Sequence, residues 1–75
     1  DEVYLWCLTR KVSWEPEEAC ATLRKAVEAD PADRWSRLAL ARNLARLDRP
    51  EEFERVLAAL PADDPQAASI RAEEA

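Results

Sequence analysis

The sequence predicts an all-α fold built from antiparallel helix pairs, and two observations support this prediction. The first is composition: the chain of 75 residues contains no glycine and is 48% hydrophobic. Its apolar residues are mostly alanine and leucine, which favours helices over tight β-turns. The second is an internal period of 34 residues (50 − 16), with turn and core residues in step, as in a stacked helical repeat. The matching segments are Pro16-Glu17-Glu18 with Pro50-Glu51-Glu52, Leu23 with Leu57, and Asp30-Pro31 with Asp64-Pro65.

The first two helices are predicted from about residue 2 to 12 and from 16 to 29. The first contains a continuous apolar run from Val3 to Leu8, so it is apolar nearly all round. The second begins at Pro16, whose missing N–H costs nothing at the first helical position. Its apolar residues follow the spacing i, i+4, i+7 and i+8, which places them on one face. They are Ala19, Leu23, Ala26 and Val27.

Three more helices follow in the second half of the chain. The third is expected to begin at Pro31 behind an Asp30 N-cap and to end near Leu47. The fourth begins at Pro50 and closes before Pro61, and Asp64-Pro65 opens the fifth. Loops of two to four residues make consecutive helices antiparallel neighbours. The predicted buried stripes are Leu40, Ala41, Leu44 and Leu47 in the third helix and Phe53, Val56, Leu57 and Leu60 in the fourth.

A chain of 75 residues forms at most one domain, with a thin core. We expect one repeat domain over residues 1–75, with unit one at about 1–32, unit two at about 33–66 and the start of a further helix at 67–75. The chain begins without methionine, in what looks like the interior of a helix. We therefore expect it to be part of a longer protein.

The composition argues against an enzyme. Histidine is absent, which removes the usual side chain for proton transfer near neutral pH and the commonest metal ligand. The acidic clusters lie at helix starts, where the helix dipole explains them, and no nucleophile, base or phosphate-binding loop accompanies them. We expect no catalytic residue, no cofactor and no metal site. Cys7 and Cys20 are expected to be small buried hydrophobic residues, with a disulfide between neighbouring helices as the alternative.

No apolar run approaches the roughly 20 residues that a membrane-spanning helix needs. We therefore expect a soluble protein without membrane contact, with the cytoplasm slightly favoured and the compartment otherwise open. The chain has a net charge of −5, and its one basic helix offers few contacts to phosphates. Nucleic acid is accordingly not an expected partner.

The period of 34 and the paired helices resemble the tetratricopeptide repeat, over two units and the start of a third. The resemblance is carried by Ala19 with Leu23, Phe53 with Leu57, Leu40-Ala41 with Leu44, and the closing prolines Pro31 and Pro65. It implies a right-handed superhelix and a scaffold for protein interaction. In unit one the aromatic position of the first helix falls on Arg10. Either this unit is degenerate, or its first helix is shifted by one residue and Val12 takes that position.

In the resembled family the first helix of each unit lines a concave groove. Carried over to unit two, the groove face consists of Trp35, Leu38, Arg42, Ala45 and Arg46. Residues 34–49 contain five arginines and one acidic residue. Two guanidinium groups beside an indole are suited to an acidic or C-terminal peptide, through bidentate hydrogen bonds and stacking. The alternative is a solvated face of an arginine-rich helix.

The apolar face of the first helix has two interpretations. Tyr4, Leu5 and Leu8 either form an association surface, through which the chain pairs with a second copy, or are covered by a preceding helix. The sequence thus favours a non-catalytic scaffold that presents a groove to a protein or peptide, and the arginines of the groove favour an acidic one. The alternative function is a structural spacer, capping or self-association module of a larger multidomain protein.

Overall fold

The computed structural model describes residues 2–74, and within them all regular structure is helical. The predicted all-α class is confirmed. The predicted domain bounds at residues 1 and 75 lie outside the described part of the chain. The helices are α1 (Glu2–Thr9), α2 (Pro16–Ala29), α3 (Arg34–Arg46), α4 (Pro50–Ala58) and α5 (Pro65–Glu74).

Helix α3 is the centre of the fold, because it packs against α2, α4, α1 and α5. Seven of its 13 residues are buried, as a helix with neighbours on several sides requires. The sequence predicted a single buried stripe and did not anticipate the burial of Ser36, Leu38 and Asn43. Asn43 remains satisfied, since its amide donates a hydrogen bond of 2.9 Å to the carbonyl oxygen of Ala39.

The second helices, α2 and α4, are the most regular part of the repeat. They begin at Pro16 and Pro50, as predicted, and both pack on α3. A bidentate ion pair joins them directly: Arg24 donates two hydrogen bonds of 2.8 Å to Glu52. The residues that carry the period are buried at equivalent places in the two helices. They are Ala19 and Leu23 in α2 and Phe53 and Leu57 in α4.

The predicted start of α3 is wrong by three residues. The helix begins at Arg34, and its N-cap is Asp33, which accepts hydrogen bonds from the Ser36 amide (3.3 Å) and the Ser36 hydroxyl (2.7 Å). Asp30 instead accepts from the Ala32 amide in a turn. Asp33 is favoured as the cap because Ser36 supplies a second donor. The predicted cap of α5 is confirmed, since Asp64 accepts from the amides of Gln66 and Ala67.

Helix α1 ends at Thr9, earlier than the predicted residue 12. Lys11 adopts a left-handed conformation with φ of 57°. The Val12 amide donates to the Cys7 carbonyl at 3.0 Å and the Lys11 amide to the Leu8 carbonyl at 3.2 Å. This is the Schellman pattern of helix termination. The end of α3 repeats it, with φ of 55° at the equivalent residue, Asp48.

The two Schellman turns show how the first helices are aligned. Lys11 and Asp48 lie 37 residues apart (48 − 11), whereas Pro16 and Pro50 lie 34 apart. The α1–α2 connection is therefore three residues longer than the α3–α4 connection, so the alternative with a shift of one residue is wrong and the offset is three residues. Arg10 falls outside the helical core, exposed, with its guanidinium 5.6 Å from the ring centre of Trp6.

The two cysteines are free thiols, so the disulfide alternative is not realised. Cys20 is fully buried in the core, as predicted, and Cys7 is half-buried and packs against the core. Burial raises the pKa of both thiols above the usual value, because the thiolate loses hydration.

Candidate functional site

The first helices of the repeat, α1, α3 and α5, lie side by side with their N-termini together. Arg34 at the start of α3 donates hydrogen bonds to Asp64 (2.6 and 3.2 Å) and to Gln66 at the start of α5. Gln66 in turn donates to Glu2 at the start of α1 at 2.6 Å. Farther along, Arg42 of α3 forms an ion pair of 2.7 Å with Glu73 of α5. These contacts hold the three helices as one surface with α3 in the middle.

On this surface the pKa of Asp64, whose side chain is buried, is shifted. The hydrogen bonds from Arg34 lower the pKa of the Asp64 carboxyl below its usual value, and the amides of Ala67 and Gln66 act in the same direction. The same pair raises the pKa of Arg34. The Arg34 guanidinium also lies 4.9 Å from the ring centre of Trp35. The hydrogen bonds of Arg34 to Asp64 and Gln66 therefore join α3 to α5.

Two depressions open between the first helices, and Arg42 borders both. The Arg42 cavity, of about 190 Å³, is lined by Glu2, Val3, Arg42, Pro65, Gln66 and Ser69. The Trp14 cleft lies between α1, the α1–α2 connection and α3. It is lined by Tyr4, Cys7, Val12, Ser13, Trp14, Arg42, Asn43 and Arg46.

The structure brings together two of the five residues predicted for the groove. Arg42 and Arg46, one helical turn apart, both border the Trp14 cleft. Leu38 is 0% exposed, so its side chain belongs to the core and does not reach a surface. Ala45 is half-buried on the side of α3 that borders the start of α4. Trp35 is half-buried against Arg34.

Sequence reasoning missed Trp14 as a surface residue. Its side chain is 57% exposed, and its ring centre lies 5.4 Å from that of Tyr4 with a tilt of 43°. The available signal was the length of the α1–α2 connection, since the residues between the end of one helix and the proline of the next outnumber those in unit two. The sequence predicts only a short loop at this place.

The predicted association residues are on the surface. Tyr4 is 46% exposed, Leu5 is 59% exposed and Leu8 is 45% exposed. Tyr4 belongs both to this face and to the Trp14 cleft. Whether the face associates with another chain stays a prediction.

Residues 2–74 contain no group of three or more cysteine, aspartate or glutamate side chains arranged to hold a metal ion. None of the helices described here has the length and apolar character needed to cross a membrane.

Comparison with known proteins agrees with the repeat architecture. The family model of the tetratricopeptide repeat matches residues 15–73, which is well over half of the chain. The match begins after α1, the helix whose alignment departs from the period, and covers the other helices. No curated protein and no solved structure gives a significant match. Repeats of this kind typically act as non-catalytic scaffolds for protein–protein interaction. The chain belongs to the tetratricopeptide repeat family.

Proposed function

We propose that the surface formed by α1, α3 and α5 binds an acidic segment of a protein partner, and that the chain itself catalyses no reaction. The observation that carries the proposal is that Arg42 and Arg46 both line the Trp14 cleft. The lining of this cleft contains both arginines and no acidic residue, although the chain as a whole has a net charge of −5. A local positive surface in an acidic protein favours an acidic partner.

The two arginines differ in a way that suits recognition. The side chain of Arg42 is 24% exposed and is held by Glu73 at 2.7 Å, so its position is fixed before a partner arrives. Arg46 is exposed and forms no ion pair within residues 2–74, so its five N–H donors are available to a carboxylate. Fixing one group in advance lowers the entropy cost of binding.

The test uses a random peptide library displayed on phage, selected against the immobilised chain. We expect acidic residues to be enriched in peptides bound by the wild type. The enrichment should weaken for R46E, which breaks no ion pair of the described chain, and disappear for R42E/R46E. The matched control is K25E/R55E, which makes the same change in net charge at exposed positions of α2 and α4.

Thermal melts followed by circular dichroism check that each variant is folded, since R42E removes the ion pair with Glu73. Equal acidic enrichment by the wild type and R42E/R46E contradicts the proposal. Loss of enrichment in K25E/R55E contradicts it as well, because the effect then follows from net charge and not from this surface.

A second candidate function is self-association through α1. It is favoured by the exposure of Leu5 and Leu8, at 59% and 45%, on one short helix. We expect L5E/L8E to shift a concentration-dependent dimer to the monomer in sedimentation velocity, since burying two charges in an apolar interface is unfavourable. A wild type that sediments as a monomer up to millimolar concentration rules this function out.

A further inference from the structure

Resting on the proposed function, we infer that the acidic segment carries a bulky apolar side chain next to its acidic residues, and that this side chain binds in the Trp14 cleft. The partner is therefore a peptide segment that combines an apolar anchor with acidic neighbours. The apolar contact supplies affinity that exposed charge pairs alone do not provide.

The composition of the cleft supports an apolar anchor. One wall is the Tyr4–Trp14 ring pair, with centres 5.4 Å apart, and the lining between the helices includes half-buried Cys7 and Val12. Trp14 is 57% exposed, the largest apolar ring left open on this side of the chain. A bound side chain gains contact with surfaces that water now covers.

The connection that carries Trp14 is held in place by several hydrogen bonds. The Ser13 hydroxyl accepts from the Glu15 amide (3.1 Å) and donates to the Glu18 carboxylate (3.0 Å). The Val12 amide is fixed to the Cys7 carbonyl at 3.0 Å. An exposed aromatic ring on a fixed connection loses little conformational entropy on binding, and such residues carry much of the affinity of interfaces.

The charge of the cleft lining indicates which residues flank the apolar side chain in the partner segment. Arg42 and Arg46 line the same cleft as the ring pair, and no acidic side chain lines it. A segment whose apolar residue enters the cleft thus places its adjacent side chains near two guanidinium groups, where carboxylates form charge-assisted hydrogen bonds.

The cleft belongs to this chain and not to the repeat in general. It exists because the α1–α2 connection is three residues longer than the α3–α4 connection (37 against 34 residues between equivalent positions). In unit two the Schellman turn ends at Arg49, directly before Pro50, so no residue there corresponds to Trp14.

The experiment repeats the phage selection with W14A, W14F and T22A beside the wild type. Thr22 is the control, since it is exposed on α2, outside both the cleft and the association face of α1. The most enriched peptide is then synthesised, together with a version in which its apolar residue is alanine. Both are titrated by fluorescence anisotropy.

We expect wild-type peptides to combine acidic residues with one bulky apolar residue, whose change to alanine weakens binding about tenfold. W14A should bind both peptides equally and keep the acidic preference, whereas W14F and T22A should bind as the wild type. If W14A does not fold, the tryptophan emission of the wild type and of W14F, measured with and without each peptide, still decides the matter. An apolar side chain bound against Trp14 changes the emission of the wild type and not that of W14F, and an equal change in both overturns the inference.

The outcomes separate the two proposals. Acidic enrichment without an apolar residue contradicts the binding of an apolar side chain in the Trp14 cleft, and so does an apolar preference that W14A retains. Neither result contradicts the proposed function. Absence of acidic enrichment overturns both. A dimer that W14A dissociates, with no peptide enriched, assigns the cleft to a second copy of the chain and also overturns the inference.

Discussion

At the scale of single residues, two helices of this chain end in a left-handed turn without a glycine. Lys11 and Asp48 occupy the left-handed position that glycine usually takes in a Schellman turn. The left-handed conformation costs an L-residue about 1–2 kcal/mol, and aspartate tolerates it better than lysine because its short side chain bonds locally. Lys11 is therefore the more strained of the two positions.

We expect K11G to raise the free energy of unfolding by about 0.5–1 kcal/mol, since relief of the left-handed strain exceeds the entropy that glycine adds to the unfolded chain. D48G should gain less. Urea denaturation measures both. The control is K25G at an exposed position inside α2, which should lose about 1 kcal/mol. Destabilisation by K11G similar to that by K25G contradicts the argument.

Residue by residue, the site was only partly predictable. The common face of Arg42 and Arg46 was predictable, because a spacing of four in a helix fixes it whatever the tertiary structure. Leu38 was misassigned because that argument treats α3 as a helix with one covered side, whereas the fold covers it from several. Trp14 was missed because a turn has no periodicity from which the direction of a side chain can be predicted.

At the scale of the elements, the sequence predicts the starts of α2 and α4 correctly, but it does not predict the end of α1 or the start of α3. Proline at the first helical position is a local signal, and it fixed the starts of α2, α4 and α5. Both Asp30 and Asp33 were candidates for the N-cap of α3. Asp33 is the cap because the amide and the hydroxyl of Ser36 donate to it, whereas Asp30 accepts from Ala32 in a turn. The end of α1 depended on a residue type, lysine, that carries no signal for a left-handed turn.

Asp64 joins the cap of α5 to an ion pair between elements, and this predicts a pH dependence. Its folded pKa is lowered, mainly by Arg34, so the unfolded chain binds more protons in the interval between the folded pKa and about 3.9. The stabilisation is complete above the unfolded pKa and is lost as pH falls through the folded one. Glu52, paired with Arg24, has the same sign.

We expect D64N to lower the free energy of unfolding by about 1 kcal/mol at pH 7, a figure kept small because Arg34 is partly exposed. The difference from the wild type should shrink as pH falls from 5 to below 3. Chemical denaturation at a series of pH values measures it. D63N, at the exposed neighbouring residue, is the control and should have little effect. A difference that stays constant down to the lowest pH contradicts the assignment.

At the scale of the whole molecule, the two units share one core. The buried cluster includes residues of every helix, and α3 contacts all of the other four. Ion pairs also cross between the units, among them Arg24–Glu52 and Arg49–Glu17. Repeats that bury their faces only against neighbours depend on one another for stability, so we expect one cooperative unfolding transition.

The last prediction tests this dependence with Leu44, which is 0% exposed in α3. L44A should cost about 2–5 kcal/mol through lost burial and an unfilled cavity, a large share of the roughly 4–11 kcal/mol expected for a domain of this size. L8A, at a residue 45% exposed in α1, is the matched control and should change stability little. Circular dichroism and tryptophan fluorescence follow denaturation, since the tryptophans lie in both units. If α3 holds the units together, both signals move to lower urea by the same amount in L44A; separate transitions show that the units unfold independently.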